Sequence, residues 1–210
     1  MVNFLLLIEG ITNYSKKDID EGNTPSEIYE LCKSVRECFC ISYSIRKNNN
    51  LFFFFQNENI LVKFEGNQLR YLGSDERSQA LLLKKALDKK YISNLKYDSW
   101  IKSTPGIYFQ KFSEQYSIIS YLNSMKKEKF IFILDEEVIN NDFMSELKNF
   151  ITLENISEHF YIIPTYSISK TDTNLLEGLK NIQFVQLFKI YTTQDKILYI
   201  NYQIDKSNGL

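Results

Sequence analysis

Short, wholly apolar runs alternate along the chain with longer segments in which apolar residues recur every three or four positions. Polar or turn-forming residues bound each run, which is typical of strands that are covered on both faces. The predicted strands are Met1–Glu9, Leu51–Phe55, Ile60–Phe64, Ile107–Phe109, Phe130–Leu134, Phe160–Ile163 and Phe184–Ile190.

The segments between these runs carry helix signals. Helices are predicted from Pro25 to about Cys40, from Asp75 to about Lys90, and over Ser113–Lys127, Asp142–Phe150 and Thr171–Leu179. In the first, Thr24 can cap, Pro25 suits the first helical position and Glu27 completes a capping box. Ser74 is the expected N-cap of the second. Gln194–Asp205 fits a strand about as well as a helix.

Strands that alternate with helices predict βαβ units. The predicted fold class is therefore α/β, with a mostly parallel sheet and helices on both faces. A chain of 210 residues is expected to form one domain and can bury a real core without disulfides or metals. The hydrophobic content of 44% excludes a disordered chain.

Charge and cysteine content narrow the classes of protein further. The net charge is −1, so an RNA-binding surface would need local clustering of the 25 Lys and Arg residues. No apolar run is long enough for a membrane span, and the first residues lack the basic region of a signal peptide, so we expect a cytoplasmic protein. Cys32, Cys38 and Cys40 do not follow a zinc-ligand spacing, and His159 is distant, which predicts reduced thiols and no metal site.

Six segments together resemble the archaeal tRNA (pseudouridine-54 N1)-methyltransferases of the SPOUT superfamily. They are Ile45–Lys47, Leu51–Phe55, Phe64–Gly66, Leu69–Arg77, Ala80–Leu87 and Ser103–Tyr108. The resemblance implies a SPOUT domain over residues 1–210, a C-terminal trefoil knot within about 130–205, and a final helix at 194–205. It also implies a homodimer that uses S-adenosylmethionine as methyl donor and tRNA as partner.

Four basic residues match the part of the family pattern that recognises RNA. The resemblance implies that Arg46, Lys47, Arg70 and Arg77 hold phosphates of the tRNA T-arm. For Arg77 an ion pair that locks a turn is an equally good interpretation. At position 44 this chain has serine where the family has aspartate.

The part of the pattern that holds the methyl donor is altered. The resemblance implies that donor-binding positions are Leu134, Pro164, Thr165, Leu187 and Phe188, in three loops that follow strands. The two leucines are retained, whereas the family has Gly-Asp where this chain has Pro164-Thr165. Proline provides no N–H and fixes φ, which argues against ordinary donor binding.

Two hypotheses of function follow. The first is S-adenosylmethionine-dependent N1-methylation of pseudouridine in the tRNA T-loop. The second is a catalytically inactive relative that binds tRNA or serves as a dimer partner. The sequence does not identify a catalytic residue.

Overall fold

The computed structural model describes residues 1–114, 117–125, 129–134, 159–165, 177–187 and 189–209. The strands are β1 (Val2–Ile8), β2 (Cys40–Ile41), β3 (Ser44–Ile45), β4 (Asn49–Phe55), β5 (Ile60–Glu65), β6 (Ile101–Thr104), β7 (Ile107–Lys111), β8 (Phe130–Leu134), β9 (Phe160–Pro164) and β10 (Ile182–Gln186). The helices are α1 (Lys16–Asp20), α2 (Ser26–Phe39), α3 (Glu76–Leu87), α4 (Ser117–Ser124) and α5 (Thr193–Ser207), and a 3-10 turn covers Asp88–Tyr91. The predicted helix Asp142–Phe150 and most of Thr171–Leu179 lie outside the described residues.

One eight-stranded sheet organises the molecule, in the order β10-β8-β9-β1-β4-β5-β7-β6. The five strands from β10 to β4 are parallel, and the pairings from β4 onward are antiparallel. The sheet is therefore mixed, and "mostly parallel" describes only one half of it. Only Gln56–Asn59 separates β4 from β5, too few residues for the crossover that a parallel pair requires.

Pro105 and Gly106 form the turn of the β6–β7 hairpin. Gly106 has a φ of 79°, and a Cβ at this position would lie 2.4 Å from the backbone nitrogen of Leu69. Only glycine accommodates both the left-handed backbone and the close approach. This turn holds the loop that follows β5 against the antiparallel half of the sheet.

Helices cover both faces of the sheet, as predicted. Within β4 the side chains of Leu51, Phe53 and Phe55 join a core that α2, α3 and α5 cover, whereas Phe52 and Phe54 join a second core beneath α4. Every residue of β4 is buried. The unbroken apolar run reflects this double coverage, because successive side chains of a strand point to opposite faces.

Two predicted helix starts are wrong by one residue. Pro25 is the N-cap of α2, with an extended backbone (φ −55°, ψ 145°), so the helix begins at Ser26 and the capping box of Thr24 does not form. Asp75, rather than Ser74, caps α3 and accepts a hydrogen bond from the Ser78 N–H at 2.8 Å. A cap residue has an extended backbone, and the helix begins at the residue that follows it. In both helices this first helical residue therefore lies one position later than predicted.

The final segment is a helix, which the residue pattern alone left open and the family resemblance implied. Thr192 caps α5, because its hydroxyl accepts a hydrogen bond from the Asp195 N–H. Three isoleucines of α5 are buried in the hydrophobic core to which α2 also contributes: Ile197, Ile200 and Ile204. Their helical spacing explains why this segment forms a helix and not a strand.

Candidate functional site

The three predicted donor-binding segments meet at one edge of the sheet. Leu134 ends β8, Pro164 ends β9 and Leu187 follows β10, and these strands are parallel neighbours in the order β10-β8-β9. Thr165 follows directly on Pro164, whereas Phe188 lies outside the described residues. Ligands of open α/β sheets bind at this edge, beyond the carboxyl ends of the strands.

The side chains of Leu134 and Leu187 belong to the core. They are 1% and 2% exposed and lie on opposite faces of the sheet, in the two separate hydrophobic clusters. A ligand at this edge would therefore meet mainly the backbone of these two positions.

Pro164 is buried at the end of β9, where it lies opposite Leu7 of β1. In a parallel ladder, successive residues direct their backbone groups alternately to one neighbouring strand and the other. The Phe160 N–H donates to the residue before β8 at 3.2 Å, and the Thr165 N–H donates to Leu7 at 3.0 Å. By this alternation, the backbone nitrogen of Pro164 faces β8.

A residue with an N–H at position 164 would donate it to the Ile133 carbonyl of β8. Proline has no N–H to donate, and the pairing between the two strands ends two residues earlier, at Phe132 and Ile162. Proline here thus removes a hydrogen bond within the sheet. It does not remove a donor that pointed out of the sheet toward a ligand.

A cavity of about 560 Å³ opens beside this edge, at the carboxyl ends of β9, β1 and β4. Helix α2 and the start of α5 form its walls. It is lined by Ile8, Glu9, Gly10, Thr12, Glu27, Ile28, Glu30, Leu31, Ser34, Phe55, Thr165, Tyr191, Thr192 and Thr193. The sequence does not predict this cavity. Its lining comes from the ends of several strands, and which strands are neighbours is known only from the sheet order.

Three carboxylates line the cavity, and two of them already have partners. Glu30 forms an ion pair of 2.7 Å with Lys33, and the Glu27 carboxylate accepts a hydrogen bond of 3.1 Å from the Ser26 hydroxyl. Glu9 is exposed, and within the described part of the chain its carboxylate has no hydrogen-bond or ion-pair partner. Glu9 is therefore the carboxylate that is available to a ligand.

The predicted RNA-binding residues lie elsewhere. Arg46 and Lys47 precede β4 and Arg70 follows β5, which places all three at the sheet edge opposite the cavity. Gly66 brings the two segments together, since a Cβ there would lie 2.6 Å from the Arg46 carbonyl oxygen. Arg77 is not part of this group, because it pairs with Asp20 of α1 at 2.8 Å.

These basic residues differ in what holds them. The Arg46 guanidinium donates two hydrogen bonds to the Asp205 carboxylate of α5, at 2.7 and 2.6 Å, and these bonds raise the pKa of Arg46. Lys47 and Arg70 are exposed and make no ion pair with another described residue. Arg46 is thus positioned to anchor α5, whereas Lys47 and Arg70 are available to phosphates.

We expect Arg46→Ala to lower the free energy of unfolding by about 1–2 kcal/mol, because it removes a bidentate, partly buried charged pair. Lys47→Ala should leave stability unchanged but weaken tRNA binding, and should make the salt dependence of the affinity shallower by about one unit. Denaturant unfolding and tRNA titration at several salt concentrations measure both effects.

Asp205→Asn provides the control for Arg46, since it removes the carboxylate charge and should reproduce most of the stability loss. If Arg46→Ala unfolded like the wild type but lost one unit of salt dependence, Arg46 would be a phosphate ligand.

Two of the three cysteines are packed in the core. Cys32 and Cys38 lie buried in α2, and burial raises the pKa of the Cys32 thiol to about 12 and that of Cys38 well above its usual range. Across the described ranges, no cluster of three or more His, Cys, Asp or Glu side chains is placed to bind a metal ion. In that same part of the chain no helix has the length and apolarity needed to cross a membrane.

The family described as "Putative SAM-dependent RNA methyltransferase" matches residues 4–149 of this chain. The match spans all of β1 to β8 apart from the first residues of β1, and the chain belongs to this family of S-adenosylmethionine-dependent RNA methyltransferases.

Individual relatives give a more specific family assignment. The tRNA (pseudouridine(54)-N(1))-methyltransferase of Methanococcus aeolicus is 31% identical over 183 residues, which is 85% of this chain and 85% of the relative. The enzyme of the same name from Methanocella arvoryzae is 25% identical over 92% of this chain and 91% of its own length. This chain is thus a member of the tRNA (pseudouridine(54)-N(1))-methyltransferase family.

A solved structure supports the fold. The crystal structure of Archaeoglobus fulgidus Nep1 bound to S-adenosylhomocysteine superposes with a TM-score of 0.57, covering 100% of this chain and 99% of that chain at 10% identity. At this identity the likeness shows the fold alone, a mixed α/β sheet with helices on both faces.

Proposed function

We propose that the protein transfers the methyl group of S-adenosylmethionine to N1 of pseudouridine 54 in the T-loop of tRNA. Family membership carries this proposal, because the similarity to enzymes of that name extends over 85% of the chain. The meeting of the ends of β8, β9 and β10 at one edge supports it, since this is where the family resemblance puts the donor.

The backbone arrangement at Pro164 supports a donor site at this edge of the sheet. Leu134, Pro164, Thr165, Leu187 and Phe188 are the positions that would hold it, and the two leucines would contribute backbone rather than side chains. When bound, the donor supplies a methyl group on a positively charged sulfur. Pro164 was the principal argument against donor binding, yet the hydrogen bond that it removes lies within the sheet, between β9 and β8.

Calorimetric titration with S-adenosylmethionine and S-adenosylhomocysteine tests the donor site. We expect a dissociation constant below 1 mM, that is, a binding free energy more favourable than about −4 kcal/mol. Pro164→Gly should change this affinity by less than about threefold, because position 164 turns its backbone nitrogen toward β8.

Tyr43→Ala is a suitable control, because Tyr43 is fully exposed (103%). Leu134→Ala, at the end of the neighbouring strand, is not suitable because it would open a cavity in the core. If wild-type protein failed to bind the donor and Pro164→Gly restored binding, proline would be the cause of the loss. The inactive, tRNA-binding relative would then be the correct interpretation.

The proposal includes a cytoplasmic homodimer whose C-terminal segment is knotted. Support for the knot is the sheet order, in which β8 lies between β9 and β10 and all three strands are parallel.

Support for the dimer is an exposed apolar patch on α5, where Leu198 and Tyr202 are 48% and 57% exposed. A depression of about 500 Å³ accompanies this patch. Analytical ultracentrifugation of Leu198→Asp should give a monomer if the patch is the interface.

A further inference from the structure

We propose that the cavity at the carboxyl ends of β9, β1 and β4 receives the target pseudouridine base, and that the Glu9 carboxylate accepts the proton of its N1–H. This inference rests on the proposed methyl transfer and adds the acceptor side of the reaction. Its basis is the position of the cavity, the chemistry of its lining and one carboxylate that has no partner among the described residues.

The cavity adjoins the predicted donor-binding segments. The donor-binding segments follow β10, β8 and β9, and the cavity lies across the ends of β9, β1 and β4, so that the two sites share the end of β9. Thr165 belongs to both, as a predicted donor residue and as a cavity wall. Because neighbouring strands lie about 4.8 Å apart, Glu9 at the end of β1 is one strand spacing from the donor edge. A base in the cavity would thus lie beside the donor.

The lining suits a neutral base better than a phosphate. It contains three carboxylates and the side chains of Thr12, Ser34, Thr165, Thr192 and Thr193, and none of its described members is Lys, Arg or His. Carboxylates repel a phosphate, whereas they accept hydrogen bonds from N–H groups. Pseudouridine displays two such groups, N1–H and N3–H. The phosphates of the nucleotide would remain outside the cavity.

The apolar part of the lining has a role as well. Ile8, Ile28, Leu31 and Phe55 provide the wall against which a flat ring can pack. Ile28 is 1% exposed and Phe55 is 0% exposed, so both are fixed by the core behind them. A base that leaves its stack needs such apolar contact together with hydrogen bonds to its edge.

Glu9 is the carboxylate placed to act on N1–H. Glu27 and Glu30 are engaged with Ser26 and Lys33 on α2, whereas the Glu9 carboxylate is unengaged within the described residues. Its backbone is held, because its carbonyl accepts a hydrogen bond of 2.9 Å from the Asn57 N–H. The end of β1 therefore presents a fixed backbone and a carboxylate to which no described residue is bonded.

The chemical step balances with these groups. The N1–H bond breaks and its proton passes to the Glu9 carboxylate, while the electron pair left on N1 attacks the methyl carbon. The methyl carbon–sulfur bond breaks, and its electron pair stays on sulfur, which becomes the neutral thioether of S-adenosylhomocysteine. Glu9 later returns the proton to solvent. General-base assistance of this kind contributes about 10²–10⁴-fold to a rate.

The same contact would select pseudouridine over uridine. In uridine the ring is joined to the ribose through N1, and the position that corresponds to N1–H of pseudouridine is C5–H, so the Glu9 carboxylate would face no hydrogen-bond donor. A hydrogen bond to a charged group is worth about 1.5–3 kcal/mol, which corresponds to about 10- to 100-fold in affinity.

The test uses the full-length protein and two T-arm stem–loop RNAs that differ only in pseudouridine or uridine at the target position. Without any donor, wild-type protein should bind the pseudouridine RNA about 10- to 100-fold more tightly. Glu9→Ala should abolish the preference. Glu9→Gln should keep a preference of about 2- to 10-fold, since the neutral amide oxygen still accepts N1–H in a weaker hydrogen bond, but should lower the single-turnover methylation rate by about 10²–10⁴-fold at neutral pH.

Glu21→Gln is the matched control, because it neutralises an exposed glutamate that pairs with Lys17 and lies outside the lining of the cavity. It should keep both the preference and the rate. Thermal unfolding of all variants should match the wild type, as Glu9 and Glu21 are exposed.

The failure of this inference and the failure of the proposed function give different results. If wild-type protein methylates the pseudouridine RNA and Glu9→Ala retains both its preference and its rate, Glu9 is not the base and the inference is wrong. If wild-type protein methylates neither RNA, the proposed function itself fails.

Discussion

Phe53→Ala is expected to lower the free energy of unfolding by about 3–5 kcal/mol, the cost of removing a large aromatic side chain from a closed core. Phe53 is 0% exposed at the centre of β4, between Leu6 of β1 and Val62 of β5. Its ring meets the Phe64 ring edge-on, with 5.7 Å between centroids. Urea or guanidinium unfolding followed by circular dichroism measures the loss.

Tyr43→Ala is the control for this substitution, since Tyr43 is fully exposed and should change stability by no more than about 0.5 kcal/mol. A loss of less than about 1 kcal/mol for Phe53→Ala would contradict a tightly packed centre of the sheet. Because β1 and β4 end at the cavity, the same variant should also weaken base binding.

Asn49→Ala is expected to cost about 2–4 kcal/mol, because two buried acceptors would lose their donor. The Asn49 amide donates to the Cys38 carbonyl at 2.8 Å and to the Asn201 side-chain oxygen at 3.0 Å. Asn201 in turn donates to the Glu37 carbonyl at 2.9 Å. The network joins β4, the end of α2 and α5.

A double-mutant cycle with Asn201→Ala measures the coupling between Asn49 and Asn201 separately from the contribution of each residue. The two single losses should sum to more than the loss in the double variant, since the shared hydrogen bond is counted twice. Asn94→Ala, at an exposed position, should be neutral. Strictly additive losses for Asn49 and Asn201 would mean that the two amides do not form one network.

Sequence reasoning was most successful where one physical signal dominated. The run Leu51–Phe55 predicted a doubly covered strand, and burial of every residue of β4 confirms it. It was less successful at boundaries, because Thr24 and Ser74 are good caps by residue type but the neighbouring residues Pro25 and Asp75 occupy the cap positions. Local chemistry at adjacent positions does not decide which of two candidates adopts extended backbone.

Contacts between distant parts of the chain were beyond a single sequence. The family resemblance implies that Arg46 binds phosphate, whereas its ion pair with Asp205, 159 positions away, could not be read from the sequence. The sequence does not single out Glu9, because only the sheet order shows that β1 lies between β9 and β4. The meeting of Leu134, Pro164 and Leu187 was predictable, because parallel strands bring their carboxyl ends to one edge. The donor-binding roles and the single domain remain predictions.

Methyl transfer to a defined RNA tests the central claim most directly. Purified protein, labelled S-adenosylmethionine and the pseudouridine stem–loop are incubated, and the digested nucleosides are identified by mass spectrometry. We predict labelled N1-methylpseudouridine from this RNA and no labelled nucleoside from the uridine counterpart. Intact binding of donor and RNA without label in any nucleoside would contradict the account and identify the chain as an inactive relative.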